Sequence, residues 1–189
     1  MTRDRHAGPS TTLHARPGPA PARAFSLIEL VVVAAIVGIL AATAIPAVAS
    51  LGSRRGVAVA RQIVRDLTYA RERAMASGTR TWVVFEPAAE RYSVLSENPS
   101  SPGRVGATAV TDPASGAPFV ITLGSSASEG VGITSAAFAS GQAEVGFDWL
   151  GTPIATGGAA LTAQGTVVLT TAHQVTLTPR TGLAQVVIP

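Results

Sequence analysis

The feature that most constrains this chain is an apolar run from Phe25 to Ile45, "FSLIELVVVAAIVGILAATAI", in which Glu29 is the only charged residue. As an α-helix the run would extend about 31 Å, close to the roughly 30 Å thickness of a bilayer's hydrocarbon core. Residues 1–24 are arginine-rich and contain four prolines, which disfavour regular helix. The sequence therefore predicts a cytoplasmic leader over residues 1–24 and a single membrane-spanning helix over residues 25–45.

Three interpretations of the apolar run compete. A secretory signal cleaved after "ATA", residues 42–44, is disfavoured because the apolar core of such a signal is only about 7–15 residues long. A plain anchor has the right length but leaves Glu29 unexplained, since a charge at mid-bilayer costs about 2.5–3.5 kcal/mol and usually has a partner.

The third interpretation gives Glu29 a role. If the chain is cut between Ala24 and Phe25, the new amine of Phe25 lies one helical turn from the Glu29 carboxylate. That amine would be mostly protonated at neutral pH. The two charges could neutralise each other within one subunit, or Glu29 could pair with the amine of a neighbouring subunit.

These residues resemble the class III signal of type IV pilins and type II secretion pseudopilins. The resemblance rests on the basic leader, on "FSLIE" with its glutamate in fifth place, on the apolar helix and on Pro46. It implies that a prepilin peptidase cuts between Ala24 and Phe25, that Phe25 is then N-methylated, and that Glu29 guides assembly. The residue before the cut is Ala24, where the family usually has glycine.

Residues 46–78 are predicted to form an amphipathic continuation of the helix. Pro46 is expected to kink it, and Gly78 is expected to end it. Between them, apolar residues recur at steps of three and four, which indicates one face for docking. The members of this stripe are Ala60, Ile63, Val64, Leu67, Ala70 and Ala74.

Beyond Gly78 the apolar period changes from helical to alternating, which favours strands. We expect "TWVVF" and "RYSVL" to form a hairpin, and five more strands at "FVITL", "EVGFDWLG", "TVVLT", "QVTLT" and "AQVVI". The two Ser, Gly, Pro and Ala-rich stretches between them are expected to be long loops. The predicted fold class is α+β, with a long N-terminal helix packed on an antiparallel β-sheet or β-sandwich over residues 79–189.

The helix ending in "LTYARERAMASG" and the β domain with "LGTP" and "TPRTGLAQVVI" are similar to the GspH/FimT branch of minor pseudopilins and pilins. The resemblance implies a structural subunit of a type II secretion pseudopilus that works with other pilin or pseudopilin subunits and the prepilin peptidase. It also implies a single pass through the inner membrane and contact with secreted cargo or an outer-membrane channel. The alternative is a FimT-like minor type IV pilin in pilus biogenesis or DNA uptake.

Residues with catalytic or ligand-binding chemistry are sparse. The chain has no cysteine, and its three histidines lack the spacing of a metal site, so no metal, cofactor or catalytic residue is predicted. His173 is expected to be exposed in a turn, Trp82 and Trp149 to be core residues, and Glu144 and Asp148 to lie on a solvated strand face. The chain beyond Arg80 contains three arginines and seven acidic residues. This negative net charge argues against DNA binding by the β domain.

Overall fold

The computed structural model describes residues 26–125 and 128–188, without the side chains of residues 43–51. The chain divides into two compact units, Met1–Ala42 and Thr43–Pro189. Helix α1, Leu27–Ser77, contributes to both units. It ends as predicted, because Gly78 adopts a left-handed conformation (φ 66°) and its N–H donates to Ala74 O at 3.0 Å. Pro46 lies within the helix, and its kink stays a prediction because its side chain lies outside the described residues.

Two antiparallel sheets come after the helix. The first contains β1 (Thr81–Glu86), β2 (Arg91–Ser96), β3 (Thr108–Ala109), β4 (Val120–Thr122), β6 (Glu144–Phe147) and β7 (Pro153–Ile154). Its strand order is β3-β2-β1-β6-β7, and β4 also pairs with β2. The second contains β5 (Ile133–Ala137), β8 (Gly165–Leu169), β9 (Gln174–Leu177) and β10 (Ala184–Val187), in the order β10-β9-β8-β5. The predicted α+β class, a helix with an antiparallel β domain, is confirmed.

The predicted hairpin is present. Strands β1 and β2 pair from Thr81 opposite Ser96 to Glu86 opposite Arg91. Strands β3, β5 and β7 were not predicted; β3 and β5 lie in the two stretches predicted to be loops, and β7 is only two residues long. Thr108–Ala109 is only two residues long, and "ITSAA" in β5 has neither aromatic residues nor a sustained apolar alternation.

The core of the second unit joins α1 to both sheets. The buried members of the helix stripe lie where the period placed them, except that Val64 is only partly buried. They pack with side chains from the first sheet such as Phe85 and Val145 and from the second such as Val167 and Leu177. Fully burying one such side chain stabilises the fold by about 1.5–3 kcal/mol, so this cluster supplies most of the stability. The core residues on α1 are Val59, Ala60, Ile63, Leu67, Ala70 and Ala74.

One tryptophan contradicts the prediction. Trp82 is buried as expected, whereas Trp149 is 55% exposed. Strand β6 ends at Phe147, and the carboxylate of Asp148 accepts hydrogen bonds from the N–H groups of Leu150 (2.9 Å) and Thr152 (2.8 Å). This turn breaks the alternation that would have carried Trp149 into the core.

The expectation for His173 is also wrong, since this residue is only 2% exposed. It lies just after the turn between β8 and β9, and its Nδ1 lies 3.0 Å from Thr171 Oγ1. The turn packs directly against α1 at Gly56, where an added Cβ would overlap Thr171 Oγ1 and lie 2.7 Å from His173 Nδ1. The ring is therefore covered by the helix backbone, an approach that only glycine permits.

A Gly56→Ala substitution tests this contact. We expect it to destabilise the chain by about 1–3 kcal/mol, because the Thr171 Cβ also lies within 2.8 Å of the added atom and rotation of the hydroxyl cannot relieve the overlap. Gly52→Ala is the matched control, since nothing lies within 4 Å of its Cβ position. There, the better helix propensity of alanine should stabilise by up to about 1 kcal/mol. Urea unfolding in mild detergent would measure both, and equal effects would contradict the contact.

A polar contact fixes α1 to the first sheet. Tyr92 Oη on β2 donates to Asp66 Oδ2 on the helix at 2.5 Å, and Tyr92 is fully buried. Burial raises the pKa of the Asp66 carboxyl above its ordinary value, while the Tyr92 hydrogen bond and the charge of Arg65 oppose part of this rise. Burial, followed by the neighbouring carboxylate, raises the pKa of Tyr92 as well, so its hydroxyl stays protonated and remains a donor.

The raised pKa of Asp66 gives a pH dependence with a definite sign. The folded state binds the proton more tightly than the unfolded state, so the stabilisation from this group is full below pH 3.8 and is lost as pH rises through the folded pKa. Asp66→Asn keeps an acceptor for Tyr92 but does not titrate. Relative to that variant, the wild type should therefore lose stability in urea unfolding as pH rises above 3.8. Parallel pH profiles would contradict the assignment.

Tyr92→Phe tests the other partner. Without the donor, the partly buried carboxylate of Asp66 loses its hydrogen bond, so we expect a cost of about 1–3 kcal/mol. The cost should be larger at about pH 7 than at about pH 4, where the carboxyl is more protonated. Urea midpoints at the two pH values measure it, and an equal cost at both would show that the loss is one of packing alone.

Candidate functional site: the N-terminal segment

Glu29 lies in the first turn of α1. Helical hydrogen bonding begins with Leu30 N, which donates to Ser26 O at 3.1 Å. The carboxylate therefore sits beside the unsatisfied N–H groups of the helix start, where a negative charge is favoured. Ala24 and Phe25, the predicted cleavage and methylation residues, lie outside the described residues, so the structure places only Glu29 of the three.

The side chains around Glu29 are apolar and exposed on every side of the helix. All residues from 26 to 42 are exposed, and Leu27 reaches 81%. A helix in water normally shows a polar face opposite an apolar one, whereas this segment has apolar residues all round. An exposed apolar surface of this extent marks a site of interaction with protein or lipid. The large exposed residues are Leu27, Ile28, Leu30, Val31, Val32, Val33, Ile36, Val37, Ile39 and Leu40.

By a hydropathy criterion, no helix within the described residues combines the length and the apolar character needed to cross a membrane. The predicted span over residues 25–45 also takes in Phe25 and the side chains of residues 43–45, which are outside the described part of the chain.

Glu144 and Asp148, expected on a solvated strand face, both have hydrogen-bond partners within the fold. Glu144 Oε2 accepts from Arg104 Nε at 2.8 Å, and its Oε1 accepts from Thr156 Oγ1 at 2.5 Å. Glu144 is half-buried and ties the loop that carries Arg104 to β6, so it is not a solvated strand residue as expected. Asp148 caps its own turn. Over the residues that the structure describes, no three His, Asp or Glu side chains come together in a way that could hold a metal ion.

An exposed apolar patch on the β domain was missed by sequence reasoning. Trp149 and Leu150 are exposed on the β6–β7 turn and Leu183 on the β9–β10 turn. The two turns meet at the helix: Arg71 Nε donates to Gly151 O at 3.1 Å, and a Cβ added at Gly182 would lie 3.1 Å from the same oxygen. Met75, also exposed, lies one turn further along α1. Only the tertiary contact between these turns shows the patch, because its members are far apart in sequence.

Comparisons with known proteins agree with this geometry. Residues 20–45 match the family model described as the prokaryotic N-terminal methylation motif. No curated protein matches the sequence. Among solved structures, the chain is similar to the minor pseudopilin EpsH from the type 2 secretion system of Vibrio cholerae, with a TM-score of 0.50 and 13% sequence identity. The match covers 71% of this chain and 98% of EpsH. The chain thus combines a prokaryotic N-terminal methylation motif with the fold of a minor pseudopilin.

Proposed function

We propose that this protein is a minor pseudopilin, a structural subunit of a type II secretion pseudopilus rather than an enzyme. One observation carries the proposal: a methylation motif at residues 20–45 is joined in one chain to a domain with the fold of EpsH. Either part alone is less specific, since the motif concerns only the processing of the N-terminus and the fold concerns only the domain after it. A FimT-like minor type IV pilin would share both features and remains the second candidate.

In this proposal the leader, residues 1–24, is removed by a prepilin peptidase on the cytoplasmic side. Residues 25–45 then hold the subunit in the inner membrane and enter the helical bundle of a growing filament. The apolar side chains exposed all round residues 26–42 support this step, because either lipid or neighbouring helices would cover them. The β domain lies on the periplasmic side.

Glu29 acts in this scheme by charge pairing. A carboxylate among exposed apolar side chains is costly in lipid unless a cation neutralises it, and the methylated amine of Phe25 supplies that cation. If the amine belongs to Phe25 of a neighbouring subunit, its pairing with Glu29 also favours one register of the two helices in the assembly. Contacts with secreted cargo or an outer-membrane channel are placed on the β domain, which exposes Trp149, Leu150 and Leu183.

The N-terminus of the mature protein tests the processing step. We expect protein extracted from membranes of a host with a prepilin peptidase to begin at N-methylated Phe25, because the resemblance to the class III signal implies a cut between Ala24 and Phe25. Intact mass and N-terminal sequencing give the answer. A chain that begins at Ile45 would instead show a conventional signal peptide, and an uncut chain would leave a plain anchor.

Glu29→Gln tests the pairing, because it removes the charge and keeps the size of the side chain. We expect cleavage at Phe25 to persist, while methylation and incorporation into filaments fall by about tenfold or more, as the loss of one ion pair in a low-dielectric setting implies. Glu90→Gln is the matched control, since Glu90 is exposed in the β1–β2 turn. Quantifying the subunit in sheared filaments measures the effect. Normal incorporation of the Glu29 variant would end the pairing argument.

A further inference from the structure

Three arginines form a row on the outer side of α1 in the second unit. Arg54, Arg61 and Arg65 are all exposed, and they are separated by seven and four residues. At 3.6 residues per turn they lie within about 40° of one another, and at 1.5 Å per residue the row is about 16 Å long. The buried stripe of Ile63 and Leu67 faces the opposite way, toward the β core. The arginine row therefore lies on the exposed side of the helix, and Arg65 at its end borders the segment after β4 that contains Leu123.

The row differs from most other arginines of the second unit. Within the described part of the chain, four arginines have a carboxylate at ion-pair distance, but none of the three in the row does. The paired residues are Arg55 with Glu129 (3.8 Å), Arg80 with Glu97 (3.8 Å), Arg91 with Glu86 (2.7 Å) and Arg104 with Glu144 (2.8 Å). Among the described residues the row therefore forms no ion pair, although the charge of Arg65 acts on the neighbouring Asp66 carboxyl.

The surface between these arginines is shaped for a close neighbour. Ala58 and Thr68 are exposed on the same side of the helix, and their small side chains leave its backbone open to the approach of another helix. No aromatic residue is interleaved with the row, as a platform for single-stranded nucleic acid would need. Glu72 continues the line of the row, where it would repel the phosphates of a nucleic acid or a lipid surface.

A second copy of this chain does not complement the row. Parallel copies in register would bring each arginine of one copy opposite the same arginine of the other copy. A displacement of seven residues pairs Arg65 with Glu72 but sets Arg54 against Arg61, and a displacement of eleven pairs Arg61 with Glu72 but sets Arg54 against Arg65. No parallel register gives more than one carboxylate to the row, because the other acid of this half of the helix, Asp66, is bonded to Tyr92.

We infer that the row formed by Arg54, Arg61 and Arg65 is the contact surface for a parallel helix of a different protein chain, one that presents carboxylates at positions i, i+7 and i+11. The inference rests on the proposed function, which supplies neighbouring helices of the same orientation. Exposed ion pairs add little affinity, but they discriminate between partners and fix register. The row thus selects an unlike subunit and rejects a second copy of this chain.

A photo-cross-linking amino acid at Ala58 tests the inference in the full-length chain in its native host. We expect the cross-linked peptide, sequenced by mass spectrometry, to come from a different chain and to carry acidic residues spaced by seven and four. The same amino acid at Ala88, exposed in the β1–β2 turn, is the control and should not capture that peptide. A cross-link to this chain's own helix, to lipid or to nucleic acid would overturn the inference, and so would the absence of any cross-link.

Charge variants separate the row's charge from its shape. Arg54, Arg61 and Arg65 changed together to Gln should lower the yield of the cross-linked product by about tenfold, since three exposed pairs are lost. The matched triple change to Lys should retain most of the yield because it keeps the charges. An undiminished yield in the Gln variant would contradict charge recognition.

The N-terminus of the same samples distinguishes the two proposals. If the chain is cut before Phe25 and enters filaments but the cross-link fails, only the inference about the row is lost. If the chain is not cut, the proposed function itself fails.

Discussion

The contact between the apolar stripe of α1 and the two β-sheets holds the second unit together. Small residues dominate the stripe, with Ala60, Ala70 and Ala74 fully buried. Ile63 and Leu67 supply the larger apolar surface between them. Because strands of both sheets contact this one stripe, displacement of the helix would expose the core of both sheets at once.

Polar contacts determine where along the sheets the helix rests. The hydrogen bond from Tyr92 to Asp66 fixes its position on the first sheet, and the approach of Thr171 and His173 to Gly56 fixes it on the second. Tyr69 adds a stacked contact with Phe119, with ring centroids 5.4 Å apart. Apolar packing alone tolerates sliding by a helical turn, whereas a buried hydrogen bond and a glycine contact do not. These contacts therefore hold the arginine row in one place relative to the β domain.

The two ends of the helix have different environments and different proposed partners. Residues 26–42 expose apolar side chains in every direction and carry one carboxylate, as suits lipid or a bundle of helices. Residues 54–65 bury one face and expose arginines on the other, as suits a neighbour in water that bears carboxylates. In the proposed role as a minor pseudopilin, the first property would admit the chain to a filament, and the second would decide which subunit lies beside it.

The sequence by itself determined the elements whose signals are local. The apolar run with Glu29, the periodic stripe from Ala60 to Ala74, the stop at Gly78 and the β1–β2 hairpin are all readable because helix period, glycine conformation and strand alternation act between near neighbours. Tertiary structure decided the rest. Strand β5 forms because β8 pairs with it, although its own residues have weak strand preference. His173 is buried because the helix passes over it at Gly56, and Trp149 is exposed because Asp148 closes a turn. The arginine row depends on both levels. The sequence supplied the spacing, and only the fold showed which arginines form ion pairs, because pairs such as Arg104 with Glu144 join residues far apart along the chain.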